Sequence, residues 1–194
     1  MQRSLIIVIA TACGLGIAAA ETVIIPTDYP TIQEGIDSRN DGDTLPVKPW
    51  IYYENINLDG HNIVVGSFFA VNGDQEYIEN TVIDGDSAAT VVTCESNEDS
   101  TAVISGLAIT NGVGPDGGGI KCSYSYPTIV HNIITENRGN EINHGAGLCL
   151  YYSGAKITDN IISRNVGCWG GGIFCLHSFV LIRKNRIIEN RDLW

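Results

Sequence analysis

The sequence predicts an all-β solenoid, a parallel β-helix whose first coil is covered by a short helix. Three observations predict it, and the first is repetition. Gly117-Gly118-Gly119-Ile120, Ile129-Val130-His131-Asn132-Ile133-Ile134 and Thr135-Glu136-Asn137 return as Gly145-Ala146-Gly147-Leu148, Ile157-Thr158-Asp159-Asn160-Ile161-Ile162 and Ser163-Arg164-Asn165. They return again as Gly170-Gly171-Gly172-Ile173, Ile182-Arg183-Lys184-Asn185-Arg186-Ile187 and Ile188-Glu189-Asn190. The copies are offset by 28 and then 25 residues, a period that marks stacked structural repeats. The second observation is a series of short β-rich runs with turn signals and no intervening helices, which excludes a doubly wound α/β fold. The third is 22 glycines against one methionine, a balance that suits a turn-rich β protein.

The 194 residues are 44% hydrophobic and 17% charged, the composition of one globular domain. A net charge of −11 argues against nucleic-acid or anionic-membrane partners, because no basic patch is available to neutralise phosphates. Residues 1–20 read as a secretory signal: Arg3 precedes an apolar run from Leu5 to Ala10, and Ala18-Ala19-Ala20 offers small residues for cleavage before Glu21. The run is too short and glycine-broken to span a membrane, so secretion or cell-surface display is expected, with no transmembrane segment after cleavage. Removal of Cys13 leaves five cysteines, an odd number, which argues against a disulfide framework.

Residues 21–43 read as an N-terminal strand and cap. Thr22-Val23-Ile24-Ile25 is a β run broken by Pro26 and Pro30. Thr31-Ile32-Gln33-Glu34 has the form of a capping box, and Ile32 and Ile36 share one helix face until Asn40-Asp41-Gly42 ends it. A helix this short is expected to cover the open end of the solenoid. Residues 44–194 read as roughly six or seven coils of ~25 residues each, with the C-terminal coil uncapped and therefore open to end-to-end association.

Within the coils, like residues form columns. Ile134, Ile162 and Ile187, with Ala108 from a weaker copy, are expected inward, as are Val103, Ile129, Ile157 and Ile182. Val92, Ile120, Leu148 and Ile173 form another inward column, followed by Cys94, Cys122, Leu150 and Cys175. His131, Asp159 and Lys184 are expected outward, with Glu136, Arg164 and Glu189 forming a second charged column. Asn111, Asn137, Asn165 and Asn190, and separately Asn132, Asn160 and Asn185, are expected to close corners in the left-handed conformation and to bond between coils. A ligand site has no reason to recur in every turn, so these asparagines read as structural ladders.

The Gly-Gly-Gly-Ile and Asn-x-Ile-x-x-Asn phrases resemble right-handed parallel β-helix proteins of the pectate-lyase-like superfamily, in particular bacterial secreted and surface types. Tyr29-Pro30-Thr31-Ile32-Gln33-Glu34, Gly42-Asp43-Thr44 and Tyr52-Tyr53-Glu54-Asn55-Ile56 resemble the cap and first coil of such proteins. The resemblance implies an all-β, single-stranded right-handed parallel β-helix with an N-terminal capping helix. Pro46 and Trp50 depart from the pattern and lead to the expectation of a distorted first coil.

The resemblance also implies an adhesive or carbohydrate-binding scaffold or, alternatively, a polysaccharide lyase or glycoside hydrolase acting on an acidic, uronic-acid glycan. A periplasmic metal-maturation β-helix is a third reading, and the four histidines, at 61, 131, 144 and 177, are scattered rather than clustered. The catalytic strings of the lyase and polygalacturonase branches are absent. A lysine base at Lys184 with Asp159 as metal ligand is opposed by physics, since a neighbouring carboxylate keeps a lysine protonated. No cofactor is required; the loops Asp84-Gly85-Asp86 and Glu95-Ser96-Asn97-Glu98-Asp99 could hold calcium through carboxylate oxygens, but neither has the ordered spacing of a calcium loop and both read more readily as solvated turns. Tyr124, Tyr126, Tyr151, Tyr152 and Trp169 lie in or beside loops of neighbouring coils, where ring faces could stack on sugars. Cys149 and Cys168 are candidates for a disulfide, while Cys94, Cys122 and Cys175 read as small buried hydrophobes.

Overall fold

The computed structural model describes residues 23–139 and 144–193, and the expected leader, residues 1–20, lies outside the described residues. Helix α1 (Ile32–Asp37) leads into β1 (Thr44–Val47), β2 (Trp50–Tyr53), β3 (Ile56–Asn57) and β4 (Val64–Ser67). Two short helices, α2 (Phe69–Asn72) and α3 (Glu76–Asn80), interrupt the winding before β5 (Thr81–Asp84). Four complete four-sided coils follow. The first is β6 (Val92–Cys94), β7 (Val103–Ser105), β8 (Ala108–Thr110) and β9 (Val113–Gly114); the second is β10 (Ile120–Ser123), β11 (Thr128–Val130), β12 (Ile133–Thr135) and β13 (Arg138–Gly139). The third is β14 (Leu148–Tyr151), β15 (Lys156–Thr158), β16 (Ile161–Ser163) and β17 (Val166–Gly167), and the fourth is β18 (Ile173–Leu176), β19 (Leu181–Arg183), β20 (Arg186–Ile188) and β21 (Arg191–Asp192).

Strands one coil apart pair in parallel, giving faces of six, five, six and four strands. The complete coils therefore number four rather than the expected six or seven, because the earlier turns lack the short fourth face. Alternate residues are buried on the strands of the second complete coil, such as β10, β11 and β12. Ile104, Ile129 and Ile157 fill one side of the interior, Ile83, Ile109, Ile134 and Ile162 the second, and Val92, Ile120, Leu148, Cys94, Cys122 and Leu150 the third.

The weaker copy stacks one residue later than the sequence columns suggested. Ile104, not Val103, pairs with Ile129, and Ile109, not Ala108, pairs with Ile134. Gly112, not Asn111, then occupies the place above Asn137, whose Oδ1 accepts its N–H at 2.9 Å. In the fourth coil, Ile182, Ile187 and Cys175 are exposed, unlike their counterparts in inner coils.

The asparagines of the two ladders do not take the left-handed conformation, apart from Asn111 with φ 55°. Each corner assigns it to the preceding residue instead: His131, Asp159 and Lys184 before one ladder, and Glu136, Arg164 and Glu189 before the other, all with φ between 54° and 58°. The asparagine that follows is thereby aimed inward, where its amide completes the backbone pairing that the bend interrupts. Asn160 Oδ1 accepts from the Asn132 backbone N–H at 2.9 Å, and its Nδ2 donates to the Ile129 carbonyl at 2.9 Å. Asn132 and Asn185 repeat this with Leu107 and Ile104 and with Asn160 and Ile157. Asn137, Asn165 and Asn190 do the same at the next corner. The glycines meet a different demand. A Cβ on Gly147 would stand 2.4 Å from the Gly172 carbonyl oxygen, so coils can stack there only without a side chain.

At the N-terminal end, Thr31 caps α1 by accepting from the Glu34 N–H at 3.2 Å. The remaining free N–H groups, of Ile32 and Gln33, are taken by the two carboxylate oxygens of Glu54, at 3.0 and 3.1 Å. The helix is thus pinned to the first coil rather than capped by itself. Gln33 accepts from the Asn57 N–H at 2.8 Å and donates to its carbonyl at 3.1 Å, covering the edge of β3 as a strand would.

Pro46 causes no distortion: β1 pairs with β4 over all four residues, and the Pro46 carbonyl accepts from Ile25 on the opposite, edge side. Trp50 simply begins β2 in extended conformation, paired with Thr81. Of the expected first strand, the described residues form only a parallel bridge from Ile25 to Val47.

Replacing Asn160 by Ala strands the buried Asn132 N–H and Ile129 carbonyl, so Asn160→Ala is expected to cost about 2–4 kcal/mol in chemical denaturation. Lys156→Ala, on the exposed side of the same coil, should stay within about 0.5 kcal/mol.

Candidate functional site

The solenoid faces offer few departures from regularity, and these determine where a ligand could bind. The five aromatic residues expected to face sugars separate into two groups. Tyr124 and Tyr152, each left-handed at the corner after the glycine-led strands, stack on one another with ring centroids 4.9 Å apart and planes 5° from parallel. His177, not singled out by the sequence, extends the column by stacking on Tyr152 at 4.9 Å. Tyr126 lies over Gly154, where a Cβ would meet its ring at 2.7 Å. These rings spend much of their faces on each other and on the chain.

Tyr151 and Trp169 meet instead around His144. The Tyr151 hydroxyl is 3.1 Å from His144 Nδ1 and 3.5 Å from Asp116 Oδ1, and the Phe174 ring lies 4.3 Å from His144. Trp169 packs its ring 6.1 Å from the same histidine and remains 63% exposed. Burial first, then the charges of Cys149 and Asp116, raise the Tyr151 phenol well above its ordinary range, so it holds its proton and serves as a donor, not a base.

Cys149 occupies an outer position of its strand, yet it is fully buried beneath the turns at Gly117 and Gly145. Burial, reinforced by Asp116, pushes its thiol up to about 12, which removes it as a nucleophile at neutral pH. Cys149 is a free thiol, so the expected Cys149–Cys168 disulfide does not form. Cys94 and Cys122 are buried as neighbours, and their mutual hydrogen bond followed by burial raises the Cys94 thiol.

Four of the five candidate calcium carboxylates, those of Asp84, Glu95, Glu98 and Asp99, have partners within the chain, whereas Asp86 contributes only its N–H. Asp84 accepts from the Asp86 N–H at 2.9 Å and from Asn111 Nδ2 at 2.8 Å. Glu95 pairs with Lys121 at 2.8 Å. Glu98 is fully buried and accepts from the Gly60 and Ser96 N–H groups, both at 3.0 Å. Asp99 accepts from the Thr101 hydroxyl and N–H, which hold its carboxyl below the usual range. No group of three or more His, Cys, Asp and Glu side chains suited to a metal ion occurs among the described residues. Of the charged columns, Arg164 bonds Glu136 at 3.1 Å and reaches Glu189 at 4.0 Å, whereas Asp159 forms no ion pair with His131 or Lys184 among the described residues.

The sequence reading missed a groove of about 660 Å³ at the N-terminal end of the solenoid. Its floor is the outer side of β2, where Trp50 and Tyr53 are 70% and 67% exposed. Its wall is the segment carrying α2 and α3, which contributes Tyr77, Asp74, Glu76 and Asn80. Phe68 props Tyr77 from behind, with ring centroids 5.7 Å apart. The volume falls in the range of small-molecule sites, about 300–1,000 Å³. The available sequence signals were the run Trp50-Ile51-Tyr52-Tyr53 and a segment, residues 68–80, that matches nothing in the repeat.

A family model described as a right handed beta helix region matches residues 66–192. Comparison with curated proteins and with solved structures gives no significant match.

Thiol alkylation at neutral pH, mapped by mass spectrometry, should label exposed Cys175 in the native protein and reach Cys94, Cys122 and Cys149 only after unfolding. Early labelling of Cys149 would contradict its burial.

Proposed function

Because the chain belongs to the right-handed β-helix family, we propose that it is an exported scaffold that binds carbohydrate on its outer surface, as a secreted or cell-surface adhesive element. One observation carries the carbohydrate reading. The groove presents two large aromatic rings, Trp50 and Tyr53, to solvent on a rigid sheet, with Tyr77 opposite and polar groups of Asp74, Glu76 and Asn80 at hand. Pyranose rings have apolar faces and equatorial hydroxyls, and a flat aromatic beside a few hydrogen-bonding groups matches both. Export rests on the basic start, apolar run and small residues of positions 1–20.

The test is titration of purified protein with a panel of neutral, cationic and uronic-acid oligosaccharides, followed by tryptophan fluorescence and calorimetry. Binding should be lost or weakened about tenfold in Trp50→Ala, corresponding to about 1.4 kcal/mol, with the melting temperature unchanged. No binding to any member of the panel, or binding indifferent to Trp50, would overturn the proposal. A parallel assay for unsaturated products, with and without calcium, would replace it by a lyase reading if product appeared.

A further inference from the structure

The groove is lined by two carboxylates and no basic side chain, and that charge has a chemical consequence. We infer that its ligand bears a protonated amine, which makes it a cationic amino sugar rather than a neutral or uronic-acid glycan; this inference rests on the carbohydrate reading of the same groove. The charged groups lining it are Asp74 and Glu76, both carboxylates, and no lysine, arginine or histidine lines it. The ion pairs among the described residues, Lys121 with Glu95 and Arg164 with Glu136 and Glu189, leave both carboxylates without a cation. Asp74 Oδ1 accepts from the Glu76 N–H at 3.1 Å, which fixes the carboxylate and keeps its second oxygen for a ligand.

The aromatic lining points to the same class. The faces of Trp50, Tyr53 and Tyr77 carry the negative side of the ring quadrupole, so a cation held over them is attracted by rings and carboxylates together. A uronate in this place would meet two carboxylates in a chain of net charge −11.

The origin of the wall is a separate argument. In the complete coils the corresponding corner is two residues, Gly106-Leu107, His131-Asn132, Asp159-Asn160 and Lys184-Asn185. Between β4 and β5 the same corner is replaced by residues 68–80, which the winding does not need. Insertions into a repeat gather on one side of a solenoid and commonly form its binding surface.

The experiment is calorimetry at about pH 5.5, where carboxylates are ionised and amines protonated. It uses a glucosamine oligomer, the N-acetylated oligomer of equal length, an oligogalacturonate and hexalysine. The glucosamine oligomer is expected to bind at least tenfold more tightly than its N-acetylated counterpart. The double variant Asp74→Asn, Glu76→Gln should abolish that difference, weakening the glucosamine oligomer at least tenfold more than its N-acetylated counterpart. Asparagine at 74 retains an oxygen to accept from residue 76, so the wall is expected to persist, and an unchanged melting temperature checks it. Equal affinity for the two glucosamine oligomers, or no effect of the double variant, overturns amine selection and leaves carbohydrate binding standing. Hexalysine binding as tightly as the amino sugar overturns the sugar assignment. If none of the saccharides bind, this inference falls together with the carbohydrate reading.

Discussion

The fold depends on how backbone groups are satisfied at its corners. Along each face, N–H and C=O groups pair with the coils before and after, but a bend carries them out of strand geometry and away from water. Leaving them unpaired would cost about 1–3 kcal/mol each, twice or more per coil. Asn132, Asn160 and Asn185 at one corner, and Asn137, Asn165 and Asn190 at the next, solve this with one acceptor and one donor directed at the preceding coil. Their Nδ2 groups also reach the next asparagine's Oδ1, as from Asn160 to Asn185 at 3.0 Å, so the ladder is continuous through the stack.

The same constraint explains why bulky residues tolerate a left-handed backbone. A φ near +57° disfavours Lys184 or Arg164 by roughly 1–2 kcal/mol per residue. The single left-handed residue makes the bend, and the asparagine behind it recovers the hydrogen bonds. Once the bend is fixed, the corner side chain is free of the ladder: Asp159 and Lys184 are exposed, whereas His131 at the same position packs against the Phe69 ring. Variation of charge along such a column is therefore a weak indicator of chemistry.

Legibility followed the repeat. Its period exposed the inward isoleucine columns, the asparagine ladders and the glycine-led strands of the later coils, because each copy imposes the same packing on the same place. The weaker copy was misaligned by one residue, since Leu107 and Gly112 stand where later coils have Asn132 and Asn137, and Asn111 offered a false anchor. The conformation of the corners was also assigned to the wrong residue, because asparagine tolerates the left-handed region better than lysine or glutamate and propensity was outweighed by the ladder. Glu54 as the cap of α1 lies 22 residues from its partner Ile32 and leaves no local signature.

The groove lies where the repetition that makes the solenoid readable is broken. Repeated rings consume one another: Tyr124, Tyr152 and His177 stack because each coil presents the same position at the same height. The groove escapes this because residues 68–80 replace the two-residue corner between β4 and β5 and stand beside Trp50 and Tyr53 on the neighbouring strand β2. Trp50 stood out in the sequence as a departure from a family pattern, which suggested local distortion. Its extended pairing with Thr81 shows that the backbone accommodates the departure, and its exposed ring forms the floor of the groove. Regular coils thus supply the rigidity, and the residues that fit the repeat least well line the groove.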